Sequence, residues 1–180
     1  MNDTKPKIKL FLTDLDGVLT DGSIYYSGTG ELSKRFYVHD GMGLEIIREL
    51  GIKTGLVTTD NSPIVEHRAK DLHFTYVLKD VAKGTKLSAA KELCDKVGIS
   101  LSEASYIGDD VNCWDLLASV GYPICPADAQ EIIRKIPGIF VTKLPGGRGA
   151  VREAINHFLA EKMFDTDTSM DQLVESHFRI

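Results

Sequence analysis

The sequence predicts an α/β fold, a mostly parallel β-sheet with helices on both faces. Short apolar, β-prone runs alternate with stretches whose apolar positions suit one face of a helix. The first of these runs, residues 8–13, ends at Asp14, and a later run also ends in acidic residues. Parallel strands need long crossover connections, usually helices, so this alternation indicates right-handed βαβ units that build one sheet.

The connection after the first strand carries a predicted β-hairpin at about residues 23–38. There, the β-prone segments SIYYS and KRFYV flank a polar break that contains Gly28 and Gly30. The remaining elements alternate to the end of the chain. In order, we predict a helix at 41–50, the strand KTGLVTT, a helix at 63–72, the strand FTYVL, a helix at 85–97, the strand ASYI, a helix through Trp114 and Leu117, the segment GYPIC, a helix at 129–135, the strand GIFVT and a helix at 149–162.

The length and composition favour one globular domain. A chain of 180 residues with 43% apolar and 26% charged residues suits a single core. We expect this domain to cover residues 1–162. Residues 163–180 then form a polar C-terminal tail that either frays or docks on a partner subunit.

Charge and hydropathy exclude several classes of partner. A net charge of −5 gives no broad cationic surface for nucleic acid or anionic lipid. The apolar runs are far shorter than the roughly 20 residues of a membrane-spanning helix, so a cytoplasmic protein is the simplest interpretation. The three cysteines have no CxxC spacing, and we expect Cys94, Cys113 and Cys125 to be buried free thiols.

Polar residues that suit phosphoryl transfer follow the predicted strands. Asp14 and Asp16 end the first strand, and Thr58 ends the next. Lys86 begins a helix, and Asp109 follows a third strand. Because ligands bind beyond the carboxyl ends of parallel strands, we expect these side chains to share one crevice. Carboxylates, a hydroxyl and a lysine are the groups that phosphoryl transfer assisted by Mg²⁺ requires.

The residue types suggest a role for each member of this set. Asp14 is the candidate nucleophile that forms an aspartyl-phosphate, and Asp16 is the candidate general acid and base. Mg²⁺ is expected on Asp14, Asp109 and the backbone carbonyl of Asp16. Lys86 neutralises phosphate charge, while Thr58 donates a hydrogen bond to the transferred group.

Each of these residues also has an ordinary structural interpretation. A lone aspartate at a strand end is usually a turn former or helix cap, an isolated lysine is usually solvated, and Thr58 also suits a strand. Asp110 and Asp115 either orient the metal site or cap the next helix. The functional interpretation is favoured because the segment DLDGVLTDG follows directly on an apolar strand.

Taken together and in order, these motifs resemble those of the haloacid dehalogenase superfamily. DLDGVLTDG matches its first motif, Thr58 the second, Lys86 the third and GDD at 108–110 the fourth, over residues 7–160. The resemblance implies a Rossmann-like sheet and a phosphatase that uses Mg²⁺. The two intervals that hold cap domains in relatives contain only the hairpin, two helices and a strand, so the chain resembles the members that lack a cap.

Two further segments narrow the resemblance. DGxxxYxxxGxxxKxFxxxDGMG across 21–43 and GGRGAVRE across 146–153 are similar to the 3-deoxy-D-manno-octulosonate 8-phosphate phosphatases, which belong to lipopolysaccharide sugar synthesis. That resemblance implies a homotetramer with central hairpins and a phosphorylated 2-keto-3-deoxy sugar acid as substrate.

One departure from that family leaves the sugar acid open. Thr59 and Asp60 stand where the octulosonate enzymes commonly have Gly and Arg. An acidic residue there is typical of the related phosphatases for nonulosonic (sialic-type) acid 9-phosphates. Thr59 and Asp60 are therefore candidate substrate-binding residues. Candidates for binding a sugar carboxylate, each of which is equally suited to a surface ion pair, are Arg68, Arg148 and Arg152.

The sequence leaves two rival functions open. A receiver domain of a signalling pathway also combines acids, a hydroxyl and a lysine on a parallel sheet, but it usually places its phosphate acceptor on a later strand than its paired acids. A catalytically silent assembly subunit is the second rival, since a fold can outlive its chemistry. The complete acidic set together with Lys86 argues against it.

Overall fold

Six parallel strands form one sheet in the computed structural model, which describes residues 6–169, 171, 172 and 175. In chain order the strands are β1 (Leu10–Thr13), β2 (Tyr25–Ser27), β3 (Gly30–Ser33), β4 (Lys53–Val57), β5 (Tyr76–Leu78), β6 (Ala104–Ile107), β7 (Tyr122–Cys125) and β8 (Phe140–Val141). The sheet order is β5-β4-β1-β6-β7-β8, while β2 and β3 pair separately as an antiparallel hairpin. The predicted α/β fold with a parallel sheet is confirmed.

Helices connect the strands of the sheet. They are α1 (Val38–Glu49), α2 (Pro63–Asp71), α3 (Lys86–Val97), α4 (Trp114–Leu117), α5 (Glu131–Arg134) and α6 (Ala150–Ala160). Between β1 and β4 the chain holds the hairpin and α1, and between β4 and α3 it holds α2 and β5. Neither interval contains a cap domain, which leaves the carboxyl edge of the sheet uncovered by a second domain.

The sheet separates two hydrophobic cores. Side chains alternate along β1, so Phe11 packs with residues of α1, α2 and α6, whereas Leu10 and Leu12 pack with residues of α3, α4 and α5. Every residue of β1 is buried. This two-sided burial explains why the strand reads as a continuous apolar run rather than as an alternating one.

Helix α1 begins three residues before the predicted start, and the segment KRFYV is not a strand. β3 ends at Ser33, and Phe36 makes only an isolated bridge with Thr20. The glycines of α1 lie inside the helix because other elements approach it closely. A Cβ on Gly43 would lie 3.1 Å from atoms of Arg152 and Ile155 of α6. These tertiary contacts cannot be read from local sequence.

The hydrophobic core extends into the segment that the sequence assigned to the tail. The Ile8 N–H donates to the Met163 carbonyl at 2.8 Å, and Phe164 pairs with Ile8 in a parallel bridge. Phe164 is 3% exposed. Residues beyond it lie on the surface where they are described, and the rest of the predicted tail lies outside the described residues.

The structure bears on two further expectations, the state of the cysteines and the length of apolar helices. Cys94, Cys113 and Cys125 are buried and unpaired, as predicted. Among the described residues, no helix combines the length and apolar character needed to cross a membrane.

Truncating Phe164 tests whether this segment belongs to the core. We expect Phe164→Ala to lower the free energy of unfolding by about 3 kcal/mol, because it removes a buried ring that packs edge-on against Phe158. Urea denaturation measures this change. The exposed control Asp167→Ala should stay within about 0.5 kcal/mol of the parent. Equal, small effects of both substitutions would show that the segment does not belong to the core.

Candidate active site

The site lies where three neighbouring strands end. β1 is paired with β4 on one side and β6 on the other, so the residues after these strands meet at one edge. The Asp14 N–H donates to the Ile107 carbonyl at 3.0 Å, which fixes the end of β1 against the end of β6. Asp14, Thr58 and Asp109 therefore project from adjacent strand ends, as the sequence predicted for residues in one crevice.

The Asp14 carboxylate is held by donors on both oxygens. Oδ1 accepts the Leu15 N–H at 2.8 Å. Oδ2 forms an ion pair with the Lys86 ammonium and accepts from the Cys113 thiol at 3.0 Å and the Tyr106 hydroxyl at 3.4 Å. Because these partners come from β6, the turn after it and α3, three separate segments fix one side chain.

Lys86 is the buried cation of the site. It begins α3, and its side chain is 2% exposed. Burial lowers the pKa of its ammonium, but the negative charge of Asp14 and their hydrogen bond outweigh that effect and raise the pKa. Lys86 therefore stays protonated beside the candidate nucleophile.

Asp109 faces the turn that follows β1. A Cβ on Gly17 would lie 2.0 Å from Oδ2 of Asp109, and Gly17 has a φ of +73°. Only glycine fits there, for reasons of both space and backbone conformation. Burial, together with the charges of Asp14 and Asp110, raises the pKa of Asp109 to about 7. The cluster thus concentrates negative charge that a cation would balance.

The donor set fits a magnesium ion. One atom each of Asp14, Asp109 and Cys113 lies within 4.8 Å of the others. Burial and the Asp14 charge raise the pKa of Cys113 to about 12, so it remains a thiol that donates to Asp14 and is a poor ligand. The two carboxylates, with the backbone carbonyl of Asp16, are the hard oxygen donors that Mg²⁺ prefers.

The Asp16 side chain binds a lysine that directly follows the hairpin. Both of its oxygens accept from the Lys34 ammonium, at 2.9 and 2.8 Å. Lys34 also donates to Oδ2 of Asp60 at 2.6 Å. Burial alone would raise the pKa of Asp60, but hydrogen bonds from Lys34 and Ser62 outweigh that effect and lower the pKa. The acid/base candidate is thus joined to a substrate-binding candidate through one lysine.

Thr58 and Thr59 follow β4 at the same edge. Thr58 is 2% exposed, and its hydroxyl oxygen accepts the Asp60 N–H at 3.1 Å. A hydroxyl oxygen that accepts one hydrogen bond can still donate its proton, so Thr58 can donate to a ligand. Thr59 is half-buried.

The predicted arginines occupy different places. Arg68 of α2 lies over the Phe36 ring, with 4.9 Å between its guanidinium carbon and the ring centroid. The Arg152 Nε donates to Asn156 at 2.9 Å. Arg148 is exposed on the loop 145–149. In that loop the Gly147 N–H donates to the Val18 carbonyl at 2.9 Å, within the turn at residues 14–21 that follows β1, here called the nucleophile turn. Arg148 is thus the arginine candidate whose loop packs against the site.

The two remaining acids differ in their contacts. Asp110 accepts the Val111 N–H at 2.6 Å and so caps the short 3₁₀ helix that follows it. Asp115 is exposed in the first turn of α4. For Asp110, the capping contact matches one of the two roles that the sequence left open.

Three residues of the site were not singled out by sequence reasoning. Tyr106 and Cys113, both fully buried, contact Asp14 from positions 92 and 99 residues away. Lys34 contacts Asp16 and Asp60. Cys113 was expected to be buried, but no local signal placed it beside Asp14. The position of Lys34 within the KxF part of the motif at 21–43 was the one available pointer.

Comparison with known proteins decides the family. The chain is 36% identical to the 3-deoxy-D-manno-octulosonate 8-phosphate phosphatase of Escherichia coli strain K12 over 153 residues, which cover 84% of this chain and 79% of that protein. The chain belongs to the 3-deoxy-D-manno-octulosonate 8-phosphate phosphatase family. Its members are phosphoric monoester hydrolases. No family model matches the chain.

Solved structures agree with this assignment. A Moraxella catarrhalis member of the family, in complex with magnesium, phosphate and 3-deoxy-D-manno-octulosonate (KDO), has a TM-score of 0.80 and 37% identity, covering 85% of this chain and 86% of that one. A cobalt-bound Haemophilus influenzae member has a TM-score of 0.79 and 32% identity, with coverage of 89% and 94%. A hydrolase of the haloacid dehalogenase superfamily from Legionella pneumophila has a TM-score of 0.81, 36% identity and coverage of 87% and 84%.

Gly17→Ala tests the packing of Asp109 on the nucleophile turn. The added methyl group would displace the Asp109 carboxylate, so we expect weaker Mg²⁺ binding by calorimetry and a fall in phosphate release on the order of 100-fold. Gly98→Ala is a matched control, because Gly98 has a φ of +74° and an added Cβ there would meet nothing within 4 Å. Similar Mg²⁺ affinity in both variants would contradict the assignment of Asp109.

Proposed function

We propose that this chain is a Mg²⁺-dependent phosphatase that hydrolyses 3-deoxy-D-manno-octulosonate 8-phosphate through an aspartyl-phosphate on Asp14. The observation that carries the proposal is the fixed Asp14 carboxylate, paired with buried Lys86 and next to Asp109 at the strand edge. Family membership supports the reaction class. It also argues against the silent-subunit alternative.

In the first step, a carboxylate oxygen of Asp14 attacks phosphorus while the bond from phosphorus to the sugar oxygen breaks. Hydrogen bonds from Lys86, Tyr106 and Cys113 fix the carboxylate rotamer, so little motion is needed before attack. The Lys86 charge offsets the repulsion between the carboxylate and an anionic phosphate. Thr58 donates its hydroxyl proton to a phosphate oxygen.

A magnesium ion, when bound, would neutralise phosphate charge and orient the group for in-line attack. Asp14, Asp109 and the backbone carbonyl of Asp16 would hold it. The Moraxella catarrhalis relative, whose structure contains magnesium and phosphate, supports this cofactor.

Asp16 performs the proton transfers. In its protonated form it gives its proton to the sugar oxygen as that oxygen leaves, and the resulting carboxylate then takes a proton from the water that attacks the aspartyl-phosphate. The second attack releases inorganic phosphate and restores the Asp14 carboxylate. The side chain of Asp16 is 37% exposed, which leaves it accessible to a substrate and to water.

The structure in complex with KDO supports an eight-carbon sugar acid as the product. The second candidate is a nonulosonic acid 9-phosphate, such as that of an N-acylneuraminate, and it is favoured by one residue. Asp60 supplies an acidic group where an arginine would bind a carboxylate bidentately, and its pKa is lowered, so it stays charged.

Arg148 is the proposed partner of the substrate carboxylate, with Thr59 and Asp60 contacting the sugar. Substrate contact by Arg68, which lies over Phe36 on α2, is a separate part of the proposal.

Assembly into a homotetramer is a further part of the proposal. The hairpin exposes large side chains, with Tyr25 51% and Tyr26 69% exposed, and Ile24 before it is 42% exposed. Exposed apolar side chains of this size are more stable when they are buried against a second copy of the chain than when they contact water. A cytoplasmic location is supported by the three unpaired thiols, which suit a reducing compartment.

Asp14→Asn tests the nucleophile. The substitution preserves shape but removes the anionic oxygen, so we expect the turnover number to fall at least about 1,000-fold. Circular dichroism should show an unchanged fold. Asp95→Asn, on an exposed position of α3, is the matched control and should retain full activity. Substantial turnover by Asp14→Asn would rule out the proposed nucleophile.

A substrate panel tests the sugar acid. With Mg²⁺ present, kcat/KM for phosphate release is compared among the octulosonate 8-phosphate, nonulosonic acid 9-phosphates and generic sugar phosphates. The proposal expects the octulosonate ester to be hydrolysed with the highest kcat/KM. A preference for the nine-carbon esters would reject that substrate and assign Asp60 to their recognition. Weak activity on every ester would reject both sugar acids as substrates.

A further inference from the structure

Lys34 is a buried cation that the proposed mechanism does not use. It follows β3 directly, and its side chain is 1% exposed. Burying an ammonium is costly unless it is paired and hydrogen-bonded. Its Nζ makes three hydrogen bonds, two to the oxygens of Asp16 and one to Asp60, at 2.9, 2.8 and 2.6 Å. The charge of Lys34 is therefore balanced by two carboxylates of the active site.

The restraint on Asp16 comes mainly from this lysine. Lys34 contacts both carboxylate oxygens, which fixes the plane of the carboxylate as well as its position. Asp16 also accepts a long hydrogen bond from the Thr20 hydroxyl, at 3.3 Å. Without Lys34, a carboxylate that is 37% exposed would sample several rotamers.

The backbone around Lys34 is itself anchored to the nucleophile turn. The Arg35 guanidinium donates to the Gly147 carbonyl at 3.2 Å and to Asp21 at 3.4 Å. Phe36 pairs with Thr20 in an antiparallel bridge. These contacts place the segment from 34 to 36 against residues 20 and 21. The backbone that bears the Lys34 ammonium is therefore fixed by several contacts.

We propose that Lys34 is a positioning residue that holds Asp16 where it transfers a proton to the leaving oxygen. The inference rests on the proposed phosphatase function and adds a residue to it. A proton donor accelerates a reaction only when it lies within hydrogen-bond reach of its acceptor. Loss of Lys34 should therefore impair the reaction in proportion to how much the leaving group needs a proton.

Two esters of similar size distinguish this role from general damage to the site. 4-Nitrophenyl phosphate releases a stable phenolate that needs no proton, whereas 4-nitrobenzyl phosphate releases a strongly basic alkoxide that does. Neither carries a sugar acid, so the comparison does not depend on sugar recognition. The quantity compared is kcat/KM with Mg²⁺, which reports the steps up to the first phosphoryl transfer.

For Lys34→Met we expect kcat/KM to fall about 30-fold with the benzyl ester but less than about 3-fold with the phenyl ester. Lys34→Arg, whose guanidinium can also bind a carboxylate through two donors, should recover part of the benzyl activity. If Lys34→Met does not fold, Lys34→Gln takes its place. An equal loss with both esters, or no loss with either, would overturn the inference.

The parent enzyme separates this test from the proposed function. If it hydrolyses neither ester with Mg²⁺ and also fails on every sugar acid phosphate, the phosphatase function itself is wrong. If it hydrolyses both esters and Lys34→Met loses no selectivity between them, only the role of Lys34 is rejected.

Discussion

A carboxylate that is removed from water needs a cation beside it, and at the end of β1 that cation is Lys86. Asp14 is 5% exposed and Lys86 2% exposed. Leaving either charge unpaired at such depth costs about 3–5 kcal/mol, whereas the intact pair contributes little net stability. The pair is therefore better understood as a means of keeping an anionic nucleophile in a fixed place. Lys86 is placed there by the start of α3, and Tyr106 and Cys113 complete the contacts of the carboxylate.

The parallel sheet brings the other groups to this pair. Because β4 and β6 flank β1, the residues that follow each strand lie at one edge, and no single segment has to supply the whole site. The close approach at Gly17 lets Asp109 reach the nucleophile turn, and the loop that contains Gly146 and Gly147 packs on the same turn. Helices on both faces bury the sheet, so the strand ends are held without a second domain.

Local sequence signals were sufficient for the fold class and for the candidate site residues that follow strands. Hydrophobic runs mark strands, and polar residues at their ends mark the functional edge, which is why Asp14, Thr58 and Asp109 could be proposed together. Contacts between distant segments could not be predicted. Lys34 has the sequence context of a surface lysine, and its partners lie 18 and 26 residues away.

The same limit applies to other positions. Arg68 has the right chemistry to bind a carboxylate, but the face of α2 on which it lies places it over Phe36. The helix α1 was predicted from the apolar positions that follow residue 41, whereas it begins at Val38. Gly43 lies within the helix, where an added Cβ would meet Arg152 and Ile155 of α6. The boundary of the core near Phe164 depends on pairing with Ile8 at the other end of the chain.

Chemical trapping of the phosphorylated enzyme is the most direct test of the role of Asp14. During turnover with Mg²⁺ and a phosphate ester, the enzyme is quenched in acid and reduced with borohydride, which converts an aspartyl-phosphate to homoserine. Peptide mass spectrometry then locates the reduced residue. The account predicts homoserine at position 14 and unmodified aspartate at positions 16 and 109. Reduction at another carboxylate, or none in an enzyme whose phosphorylated form is shown to accumulate, would contradict it.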